Sequence, residues 1–192
     1  MSLCPAVFLD RDGTLNREVS YLTRPDELEL LPGVGHAVGR LRDAGYAAVV
    51  VTNQSAVARG FMTEADLGIV HRELQALLAR CGAELDGIYY CPHHPECGRP
   101  PYRQRCTCRK PGPGLLLRAA AELGLDLTRS VMVGDKLSDL QAGWNAGCRT
   151  VLVLTGYGEA HRATADAKTL ARIDHIASTL SDAADWMLCL NT

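Results

Sequence analysis

Short apolar runs alternating with stretches of helical period confine this chain to a sheet covered by helices on both faces. Ala6–Leu9, Ala47–Val51, Gly87–Tyr90, Val131–Val133 and Thr150–Leu154 read as strands. Between them Val34, Val38 and Leu41 keep helical spacing, as do Leu67, Val70, Leu74 and Leu77. Leu115, Leu116, Ala119 and Leu123 follow Pro111 and Pro113, and Leu137, Leu140 and Trp144 precede a stop at Gly147. Thr63 with Asp66 three residues on marks a helix start. The pattern predicts an α/β fold, a Rossmann-like doubly wound parallel sheet. With 192 residues the expectation is one domain spanning 1–192.

Sheets of this kind bind ligands beyond the carboxyl ends of their strands. The chemistry should therefore follow the strands directly, and it does. The first run ends in Asp10-Arg11-Asp12-Gly13-Thr14, the second in Thr52-Asn53-Gln54-Ser55, the third in Cys91-Pro92-His93 and the fourth in Gly134-Asp135-Lys136. An Asp-Gly turn after a strand is common by itself. Two carboxylates one residue apart at the end of a buried strand, however, repel each other unless a cation sits between them. Magnesium, a hard ion content with few protein oxygens, suits Asp10 and Asp12, with Asp135 as the third contributor.

Composition excludes several partners. A net charge of -2 offers no basic surface for nucleic acid, and the longest apolar run, around Ala47–Val51, is far too short to span a bilayer. The first residues show no basic segment followed by an apolar signal core, so a cytoplasmic protein is expected. Nothing in the pattern demands more than a monomer. Four of the eight cysteines, Cys91, Cys97, Cys106 and Cys108, crowd one stretch, while Cys4, Cys81, Cys148 and Cys189 are scattered. In a reducing compartment the clustered ones read as metal ligands and the scattered ones as small apolar residues. Cys91 and a histidine, with Cys106 and Cys108, suit a closed tetrahedral zinc site that staples the loop at about 91–108. Spacing leaves His93 and His94 as alternatives, with Cys97 as a spare thiolate.

Asp10-Arg11-Asp12-Gly13-Thr14, then Thr52-Asn53, then Lys110, then Gly134-Asp135 with Asp139, resembles the four-motif set of haloacid-dehalogenase-type phosphatases. The resemblance implies Asp10 as nucleophile, Asp12 as general acid and base, and Thr52, Asn53 and Lys110 as phosphoryl-stabilising groups. Asp10, Asp135 and the Asp12 main-chain carbonyl would hold magnesium, with Asp139 orienting that site. No stretch is long enough for a cap domain, so the flap at Asn16–Pro25 and the cysteine loop must supply recognition. Related zinc loops use Cys-x-His with Cys-x-Cys, which selects His93.

Among uncapped members, Asn16–Pro25 and Thr52–Gly60 resemble the branch that removes the 7-phosphate of D-glycero-D-manno-heptose 1,7-bisphosphate on the way to lipopolysaccharide. A histidinol-phosphate phosphatase is the alternative, and a catalytically dead zinc-stabilised binding module a more distant one. A sugar bisphosphate implies contacts from Glu18, Val19, Ser20, Tyr21, Thr52, Asn53, Gln54 and Ser55. Arg109, beside Lys110, would take the phosphate that is not cleaved.

Overall fold

The computed structural model describes residues 3–190. Its centre is an all-parallel sheet of six strands, β1 (Ala6–Leu9), β2 (Ala47–Asn53), β3 (Gly87–Cys91), β4 (Val131–Gly134), β5 (Arg149–Val153) and β6 (His175–Ala177). They lie in the order β3-β2-β1-β4-β5-β6, so successive connections run one way from β1 and then the other. The expected doubly wound sheet is present. The side-chain period of two sorts each strand between two cores. Val7 and Leu9 of β1 face one cluster, and Ala6 and Phe8 face the other.

Among the described residues the chain forms eight helices: α1 (Val34–Asp43), α2 (Ser55–Ala58), α3 (Glu64–Arg80), α4 (Gly114–Leu123), α5 (Leu137–Ala146), α6 (Gly158–Thr164), α7 (Ala167–Leu170) and α8 (Leu180–Cys189). Helices α1, α3 and α8 bury Val38, Leu74 and Met187 against the first cluster. Helices α4 and α5 bury Leu116, Ala119 and Ala142 against the second. Thr63 caps α3 as its spacing predicts: its hydroxyl accepts the Asp66 N–H at 3.1 Å, and Asp66 returns a bond to the Thr63 N–H at 2.9 Å.

Strands β2 to β4 run one or two residues beyond the apolar runs that signalled them. Backbone pairing continues past the last apolar side chain, with Thr52 opposite Tyr90 and Asn53 opposite Cys91. The polar strand-end residues are therefore held by ladder hydrogen bonds. No helix among the described residues is long and apolar enough to cross a membrane.

Candidate active site

Asp10 leaves the end of β1 and Asp135 the end of β4, on either side of the crevice where the strand order reverses. Asp139, in the first turn of α5, completes a buried trio whose carboxylate oxygens lie within 4.8 Å of one another. Like charges gathered this closely out of water need a cation. Lys110 supplies one: its Nζ donates to Asp10 Oδ1, Asp139 Oδ1 and the Val51 carbonyl, each at 2.8 Å. Those three bonds use every proton of the ammonium. Burial works to lower the Lys110 pKa, but Asp10 and Asp139 outweigh it and hold the group above its ordinary value.

Asp135 is left over. Its Oδ2 accepts the Tyr157 N–H at 2.9 Å, whereas its Oδ1 is buried with no hydrogen-bond partner and lies 3.4 Å from Lys136 Nζ. Burial first, and then the charge of Asp10, pushes its pKa up to about 7. A carboxylate so short of compensation, beside Asp10, fits a hard divalent ion. The backbone makes room for it: Gly13, at a φ of 84°, and Gly156, at 55°, lie against the Asp135 carboxylate, and a Cβ on either would collide with Oδ2.

Asp12 is gripped from behind. Arg11, fully buried, donates Nε to its Oδ1 at 3.1 Å and Nη2 to its Oδ2 at 2.8 Å. Asn16 donates to Oδ1 at 3.0 Å and Gln54 to Oδ2 at 2.9 Å. Burial raises its pKa, but the Arg11 charge and the bonds from Asn16 and Gln54 win and hold it below the usual carboxylate value. Gln54, expected against the sugar, lines the cavity, and its amide is bonded to Asp12, Thr52 Oγ1 and Arg11. The Asn53 side chain, expected on a phosphoryl oxygen, accepts the Lys110 N–H at 3.0 Å and donates to the Lys110 carbonyl at 3.1 Å. It fixes the lysine in place. Thr52 Oγ1 accepts from Gln54 and keeps its own proton to donate.

A cavity of about 450 Å³ opens over these groups, lined by Glu18, Val19, Ser20, Tyr21, Thr52, Asn53, Gln54, Ser55, Arg109 and Lys110. The flap is tied down by Glu18, which accepts from Lys136 Nζ at 2.9 Å. Arg59 and Lys136, to which sequence reading gave no role, also line the cavity, as does His94. Arg59 stands 5.5 Å over the Tyr21 ring and its Nε is buried without a partner. His94 Nδ1 accepts the N–H groups of Glu96 and Cys97, which turns Nε2 towards Arg59 at 3.4 Å. Arg109 Nη1 donates to the His93 carbonyl at 3.1 Å, so one edge of its fork is anchored. These residues lie on loops, where periodicity is silent; only the cationic residue types next to motif positions could have marked them.

The second cluster is made of sulfur. Cys91, His93, Cys106 and Cys108 bring four ligand atoms within 4.8 Å of one another, enough to hold a metal. His93 faces the cluster through Nδ1, 3.4 Å from Cys108 Sγ, while His94 faces the cavity and Cys97 stands outside the group. Burial, aided by Cys108 and Cys106, pushes the Cys91 thiol up, so thiolates packed this closely also need a cation.

Two aspartates at neighbouring strand ends, facing each other where the strand order reverses, match the arrangement expected of a haloacid-dehalogenase-type phosphohydrolase. Residues 107–183 match the family model described as HAD-hydrolase-like. A D-glycero-D-manno-heptose-1,7-bisphosphate 7-phosphatase of Thermosynechococcus vestitus is 45% identical over 187 residues, covering 95% of both chains. The β-anomer-named counterpart of Escherichia coli K12 is 50% identical over 153 residues, 79% of this chain and 80% of that one. The crystal structure of a D,D-heptose 1,7-bisphosphate phosphatase from B. bronchiseptica, complexed with magnesium and phosphate, superposes with a TM-score of 0.84 at 35% identity, covering 99% of each chain. This chain belongs to the heptose-1,7-bisphosphate 7-phosphatase family.

Proposed function

We propose that this chain hydrolyses the 7-phosphate of D-glycero-D-manno-heptose 1,7-bisphosphate through an acyl-phosphate formed on Asp10, in the supply of activated heptose for lipopolysaccharide. One observation carries the reading: Lys110 holds Asp10 by Oδ1 at 2.8 Å, which leaves Oδ2 for phosphorus beneath a cavity that also contains Asp12. Attack by Asp10 breaks the bond from phosphorus to the sugar oxygen, and Asp12 gives that oxygen its proton. Asp12 then takes a proton from water as the water attacks the acyl-phosphate, releasing inorganic phosphate and restoring Asp10. The resting Asp12 is ionised, and the approaching phosphate dianion favours its protonation. Thr52 donates to the phosphoryl group while Lys110 acts on it as a fixed charge. Magnesium, held by Asp10, Asp135 and the Asp12 main-chain carbonyl, would neutralise the oxygens that gather there.

The phosphate that is retained has its own cations. Arg109 and Arg59 reach the same cavity as Tyr21 of the flap, and a planar fork matches a phosphate edge. Zinc suits the sulfur cluster: tetrahedral coordination with Zn–S near 2.3 Å sets sulfurs roughly 3.8 Å apart. The three thiols stand 3.2, 3.3 and 3.6 Å from one another, slightly inside that value. The working unit is taken as one domain of one chain. A reducing, cytoplasmic setting is the one in which the clustered thiols serve as metal ligands. The test is kcat/KM measured side by side on heptose 1,7-bisphosphate and histidinol phosphate. The sugar should be favoured by at least about 100-fold, about two such charge-assisted contacts' worth; preference for histidinol phosphate would overturn the substrate assignment.

A further inference from the structure

We propose that Arg11, the residue between the two aspartates, is a positioning residue that works with Gln54 to hold the Asp12 carboxylate where it can pass a proton to the leaving oxygen. The proposal rests on Asp12 being the acid and base of the reaction above. Arg11 is 0% exposed although it carries a full positive charge. Its guanidinium meets one carboxylate, through Nε to Oδ1 and through Nη2 to both oxygens at 2.9 and 2.8 Å. The same Nη2 reaches Gln54 Oε1 at 3.1 Å, and Nη1 is buried with no partner at all.

A cation used for packing would be a poor choice here. Burying it costs several kcal/mol, and an apolar side chain would fill the space without that penalty. What Arg11 adds is direction. Gln54 closes a ring of three side chains, donating to Asp12 Oδ2 and accepting from Arg11. Its amide has one satisfying orientation, because its oxygen faces a guanidinium and its nitrogen a carboxylate. Asn16 adds a third grip on Oδ1. With these donors on one side, Asp12 remains 16% exposed on the side that lines the cavity. A proton on that open edge is aimed at the ester oxygen as its bond to phosphorus breaks, and the same edge later accepts a proton from water.

Leaving-group dependence separates aiming from folding. Nitrophenolate departs without a proton, whereas a sugar alkoxide needs one. Release of the alcohol is measured in single turnovers, with enzyme in excess, from heptose 1,7-bisphosphate and from p-nitrophenyl phosphate. Arg11→Met should slow the sugar by about 100-fold, the lower range for general acid catalysis, and p-nitrophenyl phosphate by no more than about threefold. Arg11→Lys should fall between wild type and Arg11→Met. Gln54→Leu, which spares the buried charge, should show the same selectivity at about tenfold on the sugar, and it carries the test if Arg11→Met fails to fold. Adding Arg11→Met to Asp12→Asn should cost nothing further. Equal losses on both substrates, or additive losses in the double variant, would overturn the proposal while Asp12→Asn stays selective. An Asp12→Asn variant that slows both substrates alike would remove the acid role itself, and the Arg11 proposal with it.

Discussion

The carboxylate cluster and the sulfur cluster are both crowded groups of like charge, yet the chain builds them in opposite ways. Asp10 and Asp135 stand at strand ends, Asp139 starts a helix, and Lys110 is bonded to the first and last of them at 2.8 Å. That cluster is assembled by the sheet, whose ladder continues to Asn53 on β2. Three of the sulfur-side ligands, His93, Cys106 and Cys108, lie in irregular chain, and only Cys91 belongs to a strand. The contrast teaches that strand ends can hold an unstable site open for substrate, whereas a loop without ladder bonds needs the ion itself to give it shape.

The sharpest way to break this contrast is at Asp10, the proposed nucleophile. Asp10→Asn should lower turnover by at least about 10⁴-fold while thermal unfolding of the protein stays cooperative. Retention of a tenth of the wild-type rate would refute the assignment. Next in size is the loop. Elemental analysis should find about one zinc per chain, and Cys106→Ser with Cys108→Ser should abolish it. In that variant KM for the bisphosphate should rise by more than about tenfold, the scale of one lost charge-assisted bond, with kcat on p-nitrophenyl phosphate little changed. Equal damage to both would mean that the loop and the carboxylate site are one unit. Full activity in a protein purified without any metal in the loop would discard the zinc.

Arg109→Ala probes the border between the two regions. It should raise KM about tenfold for the bisphosphate and about twofold for a monophosphate, since one charge-assisted bond is at stake. Equal effects would remove the second-anion role. The smallest effect concerns His71, buried in α3 behind Arg11, whose pKa is lowered to about 4 by burial and then by the Arg11 charge. The unfolded chain takes up a proton near the ordinary 6.5 that the folded chain refuses, so stability is fully present above that value and falls as pH drops towards 4. Urea unfolding at pH 7 and pH 5 should differ by roughly 2 kcal/mol more in the wild type than in His71→Phe. A difference that does not depend on pH would show that His71 is not held neutral by the fold.

What could be read from the sequence follows the same division. Strands β1 to β5 and helices α1, α3, α4 and α5 were legible because burial on two sheet faces imposes periods that residue types display. Strand β6 was not, since three residues with two half-buried carry no such period. Helix α8 was missed although its signals exist: Thr179 and Asp182 form a capping box, and Leu180, Ala183, Ala184 and Met187 share one buried face. The polar residues at strand ends were legible by position and type. The partners of those residues were harder. That Gln54 bonds to Asp12 and Asn53 to the Lys110 backbone depends on side-chain direction, which one sequence does not display.

The two bonds between the Asn53 side chain and the Lys110 backbone have a consequence for how such a protein diversifies. They moor the end of the cysteine-bearing loop to the last residue of β2, so changes in length or composition further up the loop stop at that mooring. The loop can be rebuilt while the Asp10 carboxylate and its ammonium companion keep their spacing.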